Sequence, residues 1–132
     1  VDASKYLVIA LFLLSISFIG CAQDKENSIT IEQLREQMNS DSSLVILDVR
    51  TEQEQTDALG HIDGVINIPV QVLESRLNEL EKFKDRNIAV ICRSGRRSEI
   101  ATKLLLENSF KAENVLGGMQ EYRNTEKKKI NN

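Results

Sequence analysis

Ile88-Ala89-Val90-Ile91-Cys92-Arg93-Ser94-Gly95-Arg96-Arg97-Ser98 is the stretch from which the rest of this chain can be read. Four apolar residues in succession, with no polar alternation, mark a strand buried on both faces, as in a parallel sheet covered by helices. From Ser98 to Asn108 the residues Ile100, Ala101, Leu104 and Leu105 recur on one helical face, so the strand runs through a short loop directly into a helix. That order puts Cys92 at the carboxyl end of a parallel strand, where open α/β sheets form their ligand crevices. Gly95 permits a tight turn, and the free N–H groups and positive dipole end of the following helix make an anion-binding nest. Together with Arg93, Arg96 and Arg97, this nest is expected to lower the Cys92 pKa and hold a nucleophilic thiolate. An inert core cysteine fits poorly here, because three neighbouring arginines cannot all be buried unpaired.

Outward from this stretch the chain alternates strands and helices. Leu44-Val45-Ile46-Leu47 is a second continuous apolar run, closed by Asp48. Thr30-Ile31-Glu32-Gln33 has capping-box spacing and predicts a helix from Ile31 to Ser40, and Thr51-Glu52-Gln53-Glu54 predicts a short helix before Gly60. Val65 to Ile68 reads as a short strand ended by Pro69. Val70, Leu73, Leu77, Leu80 and Phe83 then fall at steps of three and four, predicting an amphipathic helix to Phe83. Val115-Leu116 is a minimal last strand, Gly117-Gly118 a turn, and Met119 to Ile130 a final helix. The expected fold class is α/β, a small parallel sheet with helices on both faces.

With 132 residues, 41% of them hydrophobic, the chain allows one modest domain, expected over residues 29–132. A net charge of -3 gives no case for nucleic-acid binding, and Lys127-Lys128-Lys129 reads as a solvated terminus. Leu7 to Gly20 is an apolar stretch behind Lys5, too short to span a membrane comfortably, so residues 1–20 are expected to be a signal peptide. Phe18-Ile19-Gly20-Cys21 resembles the lipobox of bacterial lipoproteins. That resemblance implies lipidation of Cys21, a polar tether over residues 21–28, and an exported domain anchored to a bacterial membrane on its periplasmic or cell-surface side. Two cysteines in an exported protein would first suggest a disulfide. A lipid on Cys21 would leave Cys92 as the remaining thiol.

Four blocks resemble the rhodanese-like sulfurtransferases: Leu47-Asp48-Val49-Arg50, Gly60-His61-Ile62-Asp63-Gly64-Val65-Ile66-Asn67-Ile68-Pro69, Cys92 to Ser98, and Val115-Leu116-Gly117-Gly118. The resemblance implies a rhodanese-like fold and an enzyme of the thiosulfate sulfurtransferase type. Cys92 would accept a sulfane sulfur from thiosulfate or a similar small anionic donor, form a persulfide, and pass the outer sulfur to cyanide or a thiol. Arg93, Ser94, Gly95, Arg96, Arg97 and Ser98 would form the substrate-binding loop, its backbone N–H groups cradling the sulfur. No cofactor is implied beyond the sulfur. The chain departs from the family in the nine residues between Arg50 and Gly60, a segment longer than usual and lacking its common aromatic, and in Tyr122, where Trp often follows the glycine pair.

Other readings compete. Cysteine phosphatases and arsenate reductases use Cys-x5-Arg, but position 98 is Ser and Arg97 gives Cys-x4-Arg. A persulfide carrier or anion-binding module without turnover would keep the same Cys92, because fold alone never proves activity. His61, the single histidine, reads as a hydrogen-bonded turn residue rather than a general base, and one histidine with no second thiol nearby makes a metal site improbable. Asp48 and Arg50 end a strand on the same side as Cys92 and read as a supporting pair that braces neighbouring loops.

Overall fold

The computed structural model describes residues 26–131. The expected signal peptide, Cys21 and most of the tether lie outside the described residues. Five strands, β1 (Ser28–Ile29), β2 (Val45–Asp48), β3 (Ile66–Asn67), β4 (Asn87–Ile91) and β5 (Lys111–Val115), form one sheet in the order β1-β5-β4-β2-β3. All four pairings are parallel, as expected for strands joined by crossovers.

The four α-helices of the described residues are α1 (Ile31–Ser40), α2 (Val70–Leu73), α3 (Arg96–Glu107) and α4 (Gly118–Ile130). They divide between the two faces of the sheet. Ile88 and Val90 of the central strand, with Cys92 just after it, point into a core completed by Leu73, Leu80, Ala101 and Leu105. The alternate residues Ala89 and Ile91 point the other way, against Ile31, Leu34, Met119 and Tyr122. The apolar run 88–91 is thus continuous because both of its faces are covered. Each fully buried Leu or Ile in these two cores contributes about 1.5–3 kcal/mol.

Local signals behave as read at α1, where Thr30 and Gln33 close a reciprocal capping box. Elsewhere the structure corrects the expected elements. Residues 74–83 are a 3-10 helix rather than a continuation of α2. Leu77, Leu80 and Phe83 recur every three residues, which suits a helix of three residues per turn better than one of 3.6. The Thr51–Glu54 box does form, Thr51 N–H donating to Glu54 Oε2 at 3.0 Å, but it encloses only a 3-10 turn over Gln53–Thr56.

The last strand is five residues long rather than two, and Leu116 lies beyond it, exposed. Charged Lys111 and Glu113 alternate with buried Ala112 and Asn114 and hide the strand from a reading by hydropathy alone. Ser28, expected to end the tether, is taken into β1, where it pairs with Asn114. The helix after Cys92 starts at Arg96, two residues earlier than expected, so Arg96 and Arg97 stand in its first turn.

Candidate active site

Cys92 follows β4 directly, at the carboxyl end of a strand with a neighbour on each side. The end of β2 is locked to it, Val49 N–H donating to Ile91 O at 2.9 Å. The side chain is 1% exposed. Its Sγ accepts the Gly95 N–H at 3.1 Å and the Ser98 hydroxyl at 3.2 Å. Gly95 reaches this position with φ +102°, a left-handed conformation that other residues adopt only with strain. Burial pushes the Cys92 thiol up, but the Ser98 hydroxyl and the backbone N–H groups of Ser98, Gly95 and Ser94 outweigh it, leaving the pKa below its ordinary value. The thiol therefore sits among hydrogen-bond donors that favour its ionised form, at the start of a twelve-residue helix whose dipole favours negative charge.

The arginines do something different from what their spacing suggests. Arg97 forms a two-pronged pair with Glu54, Nη2 to Oε1 at 2.7 Å and Nη1 to Oε2 at 2.8 Å. Arg93 Nη1 meets Asp57 Oδ2 at 3.2 Å. Both carboxylates come from the segment between β2 and β3. Arg96 is exposed, and among the described residues no ion pair involves it. Sγ is thus met by the Gly95 N–H and the Ser98 hydroxyl, while two of the three arginines expected to add to the positive field of the nest pair with carboxylates of the neighbouring segment.

A family model for the rhodanese-like domain matches residues 30–125. The chain belongs to that family. A protein from Bacillus subtilis named "Putative sulfur carrier protein YrkF" is 42% identical over 95 residues, which cover 71% of this chain and 49% of that protein, so the match spans about half of its length. A sulfurtransferase from Allochromatium vinosum is 30% identical over 94 residues, covering 70% of this chain and 84% of its own. Among solved structures, a rhodanese-related protein from Thermoplasma volcanium superposes with a TM-score of 0.67 at 32% identity, covering 75% of this chain and 92% of that one.

In this rhodanese-like domain the Asp48–Arg50 pair is fully buried, at 2.7 Å between Nη2 and Oδ2. Arg50 also donates to the Glu54 and Gly60 carbonyls at 3.0 and 2.7 Å, pinning both ends of the segment that carries Glu54 and Asp57. These contacts tie Arg50 to the neighbouring loops, and none of them reaches Cys92. Asn67 Nδ2 adds bridges to the Asp48 and Arg50 carbonyls at 2.9 and 2.8 Å. His61 Nδ1 lies 3.0 Å from Gln55 O, a turn contact consistent with the role read for it.

Three contributors escaped the sequence reading. Glu54 and Asp57 were the partners the arginines required, and the paired capping box around Glu54 was the one local sign of its order. Gly117-Gly118 was read as a turn, yet it is the mount of the loop. Gly118 lies so close that a Cβ there would come within 2.5 Å of the Cys92 carbonyl oxygen. The first N–H groups of α4 then take the loop's carbonyls, Met119 to Cys92 at 2.8 Å and Gln120 to Arg93 at 3.0 Å.

A cavity of about 390 Å³ opens at the amino end of β2, its lining including Leu44, Val45, Ile46 and Phe83. It lies at the opposite end of the strands from Cys92 and is lined by no cysteine or histidine. Among the described residues no cluster of three or more His, Cys, Asp or Glu side chains is arranged to hold a metal ion.

Proposed function

We propose that this rhodanese-like domain is a sulfurtransferase that moves a sulfane sulfur through a persulfide on Cys92, from thiosulfate or a similar donor to cyanide or a thiol. The observation that carries the reading is the environment of Sγ: a buried thiol of lowered pKa with two hydrogen bonds, at 3.1 and 3.2 Å. Such a thiolate attacks the outer sulfur of a donor without a general base, and the donor's remainder leaves with the bonding electron pair. Backbone N–H groups then stabilise the terminal sulfur anion of the persulfide as they stabilise the thiolate. The names of the Bacillus and Allochromatium relatives, a sulfur carrier and a sulfurtransferase, support the same chemistry.

Phosphoryl or arsenate chemistry has less support. Position 98 is Ser, and Arg97, the nearest substitute for a phosphate-binding arginine, is held by Glu54. A carrier without turnover is the second reading, favoured by the near-complete burial of Cys92 and by the relative's name. Export and lipid anchoring through Cys21 complete the proposal and rest on the amino-terminal sequence.

Intact mass after incubation with thiosulfate, and separately with cysteine persulfide, tests the intermediate: a gain of one sulfur that vanishes in Cys92→Ala is expected, and no gain with either donor would overturn the enzyme. Subsequent thiocyanate release on adding cyanide separates enzyme from carrier. Lipid-modified Cys21 in a membrane fraction, by mass spectrometry, tests the anchor.

A further inference from the structure

Helix α3 buries one side and exposes the other, and the exposed side is patterned. Ser98, Ala101, Thr102 and Leu105 are buried, whereas Arg96, Ile100, Lys103 and Glu107 are exposed. Steps of four, three and four residues set these exposed side chains in one seam along the helix, the spacing by which paired helices meet. Ile100, near its middle, is 63% exposed, and among the described residues only Ile130 exceeds it as an exposed large hydrophobic. A single exposed Ile needs no explanation by itself. The order of charges around it does.

Read from its two ends, the seam meets its own opposite. An antiparallel copy of α3, centred between Ala101 and Thr102, sets Arg96 against Glu107 of the second copy and Ile100 against Lys103, and the twofold axis repeats both contacts. Among the described residues neither Arg96 nor Glu107 has an ion pair. Lys103 has one, Nζ to Glu99 Oε1 at 3.0 Å, so its ammonium stays compensated while its methylene stem lies across Ile100 of the second copy. Beside the seam, a groove of about 410 Å³ between α2 and α3, with Val70, Gln71 and Leu104 in its walls, receives the side chains that flank the contact. A foreign partner would match the exposed Ile, but it would give no reason for opposite charges to stand equally far from the centre. We infer that α3 is the interface of a twofold dimer of this chain, its antiparallel helices joined by two Arg96–Glu107 pairs around Ile100 and Lys103. Contact between two helices of this length lies at the low end of specific interfaces, under about 1,200 Å², so the dimer is weak and reversible.

This assembly reaches the candidate site. Arg96 follows Gly95, whose N–H meets Cys92 Sγ, so Glu107 of the second copy stands beside each Cys92 loop. The two loops lie at opposite ends of the helix pair, separated by about 18 Å, the length of twelve residues of helix. A Cys92–Cys92 disulfide across the axis needs Cα atoms within about 7 Å and is excluded. The association is therefore noncovalent and indifferent to reductant.

Sedimentation velocity of the full chain, in detergent and with reductant present, reads the association over a series from micromolar to millimolar. Wild type should pass from monomer to dimer, and Cys92→Ala should do the same. Arg96→Glu sets glutamates against Glu107 at both ends of the seam, and Glu107→Arg sets arginines against Arg96. Each should weaken dimerisation by about tenfold or more. Both substitutions suit the helix dipole at their own end, so α3 itself is not weakened by them. The double variant, Arg96→Glu with Glu107→Arg, restores opposite charges and should recover wild-type association to within about threefold. Ile100→Asp should abolish it. A monomer at every concentration, a dimer that reductant dissolves, or an undiminished dimer in Ile100→Asp overturns the assignment. A double variant no better than the single ones overturns it as well, because the antiparallel pairing requires the swap to rescue.

Discussion

The Met119 amide donates to the Cys92 carbonyl oxygen at 2.8 Å, so the last helix begins on the backbone of the candidate nucleophile. The loop is held on its sulfur side by donors from α3 and on its carbonyl side by donors from α4. Gly118 makes that approach possible, with φ +57° and no Cβ to collide with Cys92 and Arg93.

Gly118→Ala should accordingly destabilise the fold by about 3 kcal/mol or more, combining left-handed strain with overpacking against backbone that cannot yield. Gly64→Ala is the control, since φ is +78° there but nothing lies within 4 Å of the added carbon, and only strain of about 1–2 kcal/mol is expected. Urea unfolding midpoints measure both. Equal losses would show that the contact with the Cys92 loop has no energetic consequence.

Ser98→Ala removes the hydroxyl 3.2 Å from Sγ, a donor that favours the thiolate over the thiol. The Cys92 pKa should move up toward its ordinary value. The pH profile of alkylation by a small haloacetamide should shift to higher pH, with the rate near neutrality down about tenfold, as for loss of a charge-assisted hydrogen bond. An unshifted profile would assign the thiolate to the backbone alone.

The Glu54 carboxyl is pulled down from 4.5 to about 2, first by its hydrogen bonds to Arg97, against the opposing effect of burial. A depressed carboxyl stabilises the fold fully above the unfolded value of 4.5, and the contribution is lost as pH falls through about 2. Linkage sets a ceiling of about 3 kcal/mol, and partial exposure to water reduces the expected value to about 1 kcal/mol. Wild type and Glu54→Gln should thus differ in unfolding free energy at pH 6 and converge near the acid end. A constant gap down to the lowest pH would mean that the pair's charge is not what stabilises it.

Asp48→Asn keeps the shape of a fully buried side chain and removes its charge, leaving Arg50 uncompensated in the interior. A loss of about 3–5 kcal/mol is expected. Asp48→Leu combined with Arg50→Met should cost less than Asp48→Asn alone, because no charge is then stranded. Thermal unfolding of the two variants compares them, and the reverse order would assign the pair's value to its hydrogen bonds with the Glu54 and Gly60 carbonyls.

Much of this was legible locally. An apolar run such as Ile88 to Ile91 means the same wherever it occurs, because a strand buried on two faces tolerates no polar residue on either. Gly95 and the N–H groups after Cys92 announced a nest for the same reason: a turn and a helix start are properties of a few consecutive residues. The 3-10 helix at 74–83 was visible only as a spacing of three that an α-helix also nearly satisfies. Strand β5 was half concealed because an alternating strand with Lys111 and Glu113 outward does not look apolar. The two-residue β1 had no local signal at all, since its register is set by β5 far along the chain.

From its sequence alone the chain determined the candidate nucleophile, its place at a strand end and the donors that lower its pKa, all within one short continuous stretch. What the arginines do was decided only by the tertiary structure. Three guanidinium groups in five positions are compatible with an open anion cradle or with a set of closed ion pairs, and the difference depends on carboxylates 36 and 43 residues away. Charge is readable in one dimension, but neutralisation requires two segments to meet, and here the sheet order brings the segment after β2 against the loop after β4.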